Sequence, residues 1–221
     1  RFWGESVSMR RLSEDGMTDQ QVAAPAGSLQ VRALWQDSPV VMVICHPHPL
    51  FGGTMDNKVV TTLARYGKAR GASVVMFNFR GVGSSTGTHD NGVGEVDDLR
   101  AVLSWLVRQT DARQLILAGF SFGAYIAAAG AARLSAWPLE GLRLQRLVLV
   151  APAVHHYPMN ALQLPTDTVV LIGEDDEIVP PQDVLDWAAR LSLHATLMPA
   201  CSHFFHGHLA DLSAQLERQA V

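Results

Sequence analysis

The stretch that decides the fold is residues 115–124, Leu-Ile-Leu-Ala-Gly-Phe-Ser-Phe-Gly-Ala, near the middle of the 221-residue chain. An apolar run typical of a buried strand leads into Gly119-Phe120-Ser121-Phe122-Gly123, and a run of small residues typical of a helix follows. This is the pattern of a nucleophile elbow, a sharp strand-to-helix turn that exposes the serine hydroxyl above the sheet. The two glycines are needed because the strand and the helix approach too closely for side chains. We therefore predict Ser121 as a nucleophile beside a helix N-terminus, whose free N–H groups stabilise an anion.

An acidic loop later in the chain supplies the carboxylate that such a serine needs. The apolar run 169–172 leads into Gly173-Glu174-Asp175-Asp176-Glu177-Ile178-Val179-Pro180, and open α/β sheets place their chemistry at such strand ends. We predict Asp176 as the acid of a catalytic triad, with Asp175 as the alternative. Glu174 and Glu177 are interpreted as solvated turn or helix-capping residues.

The predicted base is His203, in the loop after the last strand-like run. A histidine at this place can reach back over the sheet edge to the serine, and it completes the chain order Ser, Asp, His. An amphipathic helix follows from about residue 207 to residue 219. We prefer His203 to its neighbours His206 and His208.

An oxyanion hole needs two backbone N–H groups, one from the residue after the nucleophile and one from the loop after an early strand. Phe122 is the first donor. The early loop is His46-Pro47-His48-Pro49-Leu50-Phe51-Gly52-Gly53, after the apolar run 40–45. Since proline has no N–H, the second donor is His48, Leu50 or Phe51. We favour Leu50, with His48 as the nearest alternative.

Five motifs in this order resemble the α/β-hydrolase superfamily, and the similarity spans about residue 22 to the C-terminus. They are residues 46–55, residues 77–85 (Phe-Asn-Phe-Arg-Gly-Val-Gly-Ser-Ser), the elbow, the acidic loop 173–180 and His203-Phe204-Phe205. The chain is most similar to the small, lidless bacterial serine hydrolases, whose substrates are generally unassigned. The resemblance implies that Ser121, Asp176 and His203 form the triad, and that Phe122 forms the oxyanion hole with a residue of the 46–51 loop. Asn78 stands where many members carry Asp, and we interpret this position as structural.

Strand-like and helix-like patterns alternate along the rest of the chain. We predict strands near 29–35, 40–45, 73–79, 114–118, 146–150, 168–172 and 194–197, and helices near 57–69, 93–109, 124–134, 181–191 and 209–219. This alternation predicts an α/β class, a mostly parallel central sheet with helices on both faces and the first strand as an antiparallel edge. We expect a single domain over residues 1–221, with residues 1–19 as an extended N-terminal arm. The segment between Pro152 and Thr168 is too short for a cap domain, so the serine should lie in an open cleft.

Charge and composition argue against several classes of protein. The net charge of −4, without a Lys/Arg cluster, predicts no binding to nucleic acid or to an anionic membrane. Apolar runs are too short to span a bilayer, and no signal peptide is apparent. Cys45 and Cys201 are most simply explained as reduced thiols, so we expect a cytoplasmic protein. Because His46, His48 and His89 lack the spacing of a metal site, we predict no metal and no cofactor.

These features together predict a serine esterase of small acyl substrates. Ser121 would attack the carbonyl while His203 removes its proton and Asp176 holds the imidazole, and water would then hydrolyse the acyl-enzyme. The expected partner is a small-molecule ester or acyl substrate, and the oligomeric state is not predicted. A thioesterase, acyltransferase or peptidase would use the same triad, whereas a non-catalytic binding protein on this fold would not need it.

Overall fold

The structure is a computed structural model that describes residues 16–221. Its strands are β1 (Thr18–Ala24), β2 (Gly27–Leu34), β3 (Val40–Cys45), β4 (Ser73–Phe77), β5 (Gln114–Phe120), β6 (Arg143–Val150), β7 (Val169–Gly173) and β8 (Ala195–Met198). Its α-helices are α1 (Lys58–Ala69), α2 (Val93–Gln109), α3 (Phe122–Arg133), α4 (Pro181–Arg190) and α5 (Leu209–Arg218). The strands form one eight-stranded sheet in the order β1-β2-β4-β3-β5-β6-β7-β8. β2 pairs antiparallel with β1 and β4, and all other pairs are parallel.

The central parallel strands are apolar throughout because helices cover both faces of the sheet. All residues of β4 and β7 are buried, and β3 and β5 are buried except at their first residues. α1 and α3 both pack against β3 and β5, one on each face, and each has a helical neighbour, α5 for α1 and α2 for α3. The predicted α/β class, with its mostly parallel sheet, is confirmed.

The antiparallel edge differs from the prediction. We expected the strand near 29–35 to be the edge, but β1 forms it and pairs with β2 from Thr18 opposite Ala33 to Ala24 opposite Gly27. β1 is mostly polar and Val22 is its one buried residue, so it lacks the alternation that identifies a strand in sequence. Thr18 and Asp19 of the predicted arm belong to this strand, and residues 1–15 lie outside the described part of the chain.

Within residues 16–221, no cap covers the carboxyl ends of the strands. Residues 151–168, between β6 and β7, form turns and extended segments without a helix, as their length predicted. None of the helices within residues 16–221 is long and apolar enough to cross a membrane.

Polar side chains fix the loop that follows β4. Asn78 accepts a hydrogen bond from the N–H of Met55 at 2.9 Å and donates one to Gln30 Oε1 at 2.9 Å. Arg80 forms an ion pair of 2.8 Å with the fully buried carboxylate of Asp98. These contacts agree with the structural role that we assigned to Asn78, and they hold the loop beside the elbow.

Candidate active site

Ser121 lies at a strained turn between β5 and α3. Its φ of 57° and ψ of −114° fall in a region that side-chain-bearing residues rarely adopt and that costs about 1–3 kcal/mol. A Cβ atom on Gly119 would collide with the carbonyl of Gly123, and one on Gly123 would collide with the carbonyl of Cys45. The steric reason for both glycines is thus visible in the structure, as expected for a nucleophile elbow.

His203 and Asp176 form a buried pair. His203 Nδ1 lies 2.7 Å from Asp176 Oδ2, and their side chains are 2% and 0% exposed. Asp176 Oδ1 accepts the backbone N–H groups of Ile178 at 2.9 Å and Val179 at 2.7 Å. A carboxylate only accepts hydrogen bonds, so the proton of a neutral His203 is on Nδ1 and Nε2 is left to act as a base.

The other three acidic residues of the 173–180 loop do not pair with the His203 imidazole. Asp175 is exposed and its backbone N–H donates to the carbonyl of Cys201 at 3.0 Å. Glu177 Oε2 accepts the backbone N–H of His203 at 3.1 Å, and Glu174 Oε2 accepts that of Ala200 at 3.3 Å. These two glutamates therefore hold the loop that carries His203. No local pattern indicates this role, because each glutamate is 26 residues from its partner.

Ser121 and His203 both line one open cleft of about 940 Å³. It is lined by Pro47, His48, Phe51, Gly52, Gly53, Asn57, Asn91, Ser121, Phe122, Ala153, His155, His156, Tyr157, Pro158, Ile178, Val179, His203 and Phe204. Within residues 16–221 the Ser121 hydroxyl has no hydrogen-bond partner, and such catalytic hydrogen bonds often shorten only when substrate binds. The two neighbouring histidines that we considered less suitable as the base lie outside the cleft, with His206 exposed and His208 Nδ1 at 2.7 Å from Asp211.

The loop after β3 leaves one candidate N–H free. Leu50, which we favoured as the second oxyanion donor, donates its N–H to His48 Nδ1 at 3.1 Å, and Phe51 donates its own to the carbonyl of His48 at 3.2 Å. Both bonds belong to a short 3-10 turn, Pro49–Phe51, which the His48 side chain caps. In the described part of the chain, the N–H of His48 has no acceptor. Phe122 is the first residue of α3, so its N–H has no partner within the helix.

His46 is fully buried beneath this loop. Its Nε2 accepts the N–H of Phe79 at 3.0 Å, so Nδ1 carries a proton and donates it to the carbonyl of Pro47 at 2.7 Å. Burial lowers the pKa of His46 to about 4. Both ring nitrogens are engaged, and residues 16–221 contain no group of three or more His, Cys, Asp or Glu side chains arranged to hold a metal ion.

The cleft is polar in places but carries no permanent charge. No Lys, Arg, Asp or Glu is among its lining residues. The pKa of His48 is lowered, first by burial and then by the neighbouring His89, and the pKa of His155 is lowered by burial and by His156. Burial raises the pKa of Tyr157 to about 12. At neutral pH the cleft therefore presents the neutral imidazoles of His48 and His155, the phenol of Tyr157 and amide groups between apolar walls.

Comparison with known proteins agrees with the fold. Residues 40–166 match the model of a family described by the alpha/beta hydrolase fold. An uncharacterised protein of Rickettsia prowazekii is 35% identical over 214 residues, which cover 86% of this chain and 82% of the relative. The chain is also similar to a solved α/β serine hydrolase without a lid from Xanthomonas campestris, with 40% identity, a TM-score of 0.84 and 95% of each chain covered. A solved α/β serine hydrolase homologue from Coxiella burnetii is 40% identical, with a TM-score of 0.85, and the match covers 97% of this chain and all of that one.

Proposed function

The chain belongs to the α/β-hydrolase fold family, and from this premise we propose that it is a serine hydrolase that cleaves small esters through an acyl-enzyme. One observation carries the proposal. His203, whose Nδ1 lies 2.7 Å from the buried Asp176 carboxylate, lines the same cleft as Ser121 on its strained turn. A histidine whose Nδ1 is held by a carboxylate is oriented to accept a proton at Nε2.

The proposed reaction follows from these positions. Ser121 Oγ attacks the ester carbonyl carbon as its proton moves to His203 Nε2, and Asp176 stabilises the imidazolium that forms. The tetrahedral oxyanion is bound by the N–H groups of Phe122 and His48. The intermediate then collapses, the alcohol leaves with the proton from His203, and the acyl group stays on Ser121.

Water completes the cycle by the same route. His203 removes a proton from a water molecule, the hydroxide attacks the acyl carbon, and the proton returns to Ser121 Oγ as the acid leaves. The open cleft supports this half of the reaction because solvent reaches the acyl-enzyme without a lid having to move.

The choice of Asp176 and of His48 follows from hydrogen bonds. The Asp176 carboxylate contacts His203, whereas the Asp175 side chain is exposed. The His48 N–H is free, whereas that of Leu50 is used within the 3-10 turn. We therefore propose His48 as the second oxyanion donor, in place of Leu50.

An activity-based label tests the proposal most directly. A fluorophosphonate phosphonylates an activated serine with loss of fluoride, so the wild-type protein should gain one adduct, located by peptide mass spectrometry at Ser121. Ser121→Ala should take no label and should hydrolyse acetate and butyrate esters at least about 10³-fold more slowly. The thermal unfolding of the variant is measured as a control for folding. An unlabelled wild-type protein, or a folded Ser121→Ala variant with normal turnover, contradicts the proposal.

A further inference from the structure

A second buried carboxylate–imidazole pair lies beside the cleft. His89 Nδ1 is 2.9 Å from Glu95 Oε2, and the two side chains are 8% and 0% exposed. Glu95 is itself fixed, because its carboxylate accepts the N–H groups of Asp90 at 2.9 Å and Gly92 at 3.1 Å at the start of α2. The proposed reaction uses neither residue. Although His89 Nδ1 is buried and close to Glu95 Oε2, it makes no hydrogen bond within residues 16–221. A buried polar atom without a hydrogen bond is costly, so the position of His89 beside the cleft calls for an explanation.

His89 contacts both residues that we propose as oxyanion donors. Its ring centroid lies 4.8 Å from that of His48 and 5.6 Å from that of Phe122, and the His48 and Phe122 rings are 5.3 Å apart. The three rings form a closed triangle. Two of these residues, His48 and Phe122, carry the backbone N–H groups of the proposed hole, and the third, His89, lies against Glu95.

We propose that His89, packed against Glu95, is a positioning residue that sets the spacing between the two oxyanion donors. The inference rests on the proposed function. The two N–H groups come from separate elements, the loop after β3 and the start of α3, and no backbone hydrogen bond within residues 16–221 links His48 to Phe122. An oxyanion hole works because its donors are already in place when charge develops, and an error of about 1 Å in such a position can cost about 10²-fold in rate. The triangle of rings joins side chains of the two elements at this point, in addition to the close backbone approach of Gly123 to Cys45.

The test separates transition-state binding from substrate binding. His89→Ala removes one corner of the triangle, and we expect kcat to fall about tenfold, less than the 10²–10³-fold loss when a donor is removed outright, while KM changes less than about twofold. Phenylboronic acid supplies the second readout. Ser121 Oγ adds to its boron, the serine proton passes to His203, and a boron-bound oxygen occupies the hole. Its inhibition constant should rise by the same factor as kcat falls.

His208→Ala is the matched control. His208 is also paired with a carboxylate, Asp211 at 2.7 Å, but at the start of α5 and outside the cleft. This variant should keep the wild-type kcat and the wild-type affinity for phenylboronic acid.

His89→Phe keeps a ring against His48 and Phe122 and removes the imidazole nitrogen that lies 2.9 Å from Glu95 Oε2. We expect its kcat and its affinity for phenylboronic acid to lie between those of His89→Ala and the wild-type protein. If His89→Ala does not fold, a fall in both quantities for His89→Phe supports the inference.

Three outcomes overturn the inference alone: a kcat within about twofold of wild type in the folded variants, a loss confined to KM, or a lower kcat with unchanged inhibition by phenylboronic acid. A wild-type protein that neither reacts with a fluorophosphonate nor binds phenylboronic acid overturns the proposed function, and the inference falls with it.

Discussion

Leu50 donates its backbone N–H to the imidazole of His48, two residues earlier, at 3.1 Å. This local bond removes Leu50 from the donors available to a substrate oxyanion and leaves the His48 N–H unpaired within the described residues. Because His48 has a φ of −56°, close to the value that proline requires, the role of this single N–H group can be tested.

His48→Pro should remove the N–H without forcing the backbone angle of residue 48. We expect kcat to fall about 10²–10³-fold, the usual cost of losing one oxyanion donor. His48→Ala is the matched control, because it also lacks the imidazole but keeps the N–H, and it should lose much less. Steady-state kinetics on a short-chain ester compares the two variants. Equal losses would show that the side chain, and not the N–H, matters.

Asp176 and Asp175 form a second matched pair. Asp176→Asn should lower kcat by several orders of magnitude, because an amide in place of the carboxylate favours the wrong histidine tautomer. Asp175→Asn changes an exposed side chain and should be mild. The kcat of both variants is measured together with their thermal unfolding, and the reverse ranking would place the triad acid at Asp175.

His46 should make stability depend on pH. Its pKa is about 4 in the folded protein, against 6.5 for an ordinary histidine, so the unfolded chain binds the proton more tightly. Neutral His46 therefore makes its full contribution to the free energy of unfolding above about pH 6.5. About 3 kcal/mol of that contribution is lost as the pH falls toward 4.

Denaturant unfolding from pH 7 to pH 4 measures this dependence. Because carboxylates also titrate in this range, wild-type protein is compared with His46→Gln, whose side chain does not titrate. The difference in free energy of unfolding between wild type and His46→Gln should shift against wild type by about 3 kcal/mol from pH 7 to pH 4. A constant difference between the two proteins would contradict the assigned state of His46.

The open cleft predicts a weak dependence on acyl chain length. Each added CH₂ gains at most about 0.8 kcal/mol where it is buried, and a cleft without a cap buries few of them, so kcat/KM should soon level off along an ester series. Phe51, 85% exposed on the 3-10 turn, is the apolar side chain that a longer acyl chain would meet at the rim.

Phe51→Ser should therefore reduce kcat/KM for an octanoate ester and leave that for an acetate ester within about twofold. The acetate ester is the internal control for folding and for the triad. A steady rise in kcat/KM beyond about ten acyl carbons in the wild-type protein would contradict the open cleft.

Prediction from the sequence succeeded best at positions where sterics or chemistry allow only one type of residue. The elbow is identified by Gly119 and Gly123 on either side of Ser121, because only glycine fits against the neighbouring backbone at those two positions. The apolar runs identify the parallel strands. Asp176 and His203 were predicted from chain order, and the structure places them 2.7 Å apart. Their part in catalysis stays a prediction until it is tested.

Other features depend on contacts that have no local signature. β1 was missed because its residues are mainly polar and half-exposed, so pairing with β2 and not its own pattern defines it. The free N–H of His48 depends on how the 3-10 turn closes, which the two prolines around it do not determine. The His89–Glu95 pair joins residues six apart, in a loop and a helix, and only the folded chain brings them beside Phe122.

The uncharged lining of the cleft also has a kinetic consequence. Charged clefts attract oppositely charged ligands over distances of several ångströms, and salt weakens that attraction as the Debye length falls from about 30 Å at 0.01 M to about 3 Å at 1 M ionic strength. No Lys, Arg, Asp or Glu lines this cleft, and a neutral ester has no net charge on which the field of more distant carboxylates could act. Capture of a neutral ester should then be governed by diffusion and fit, and kcat/KM should stay nearly constant from low to high salt.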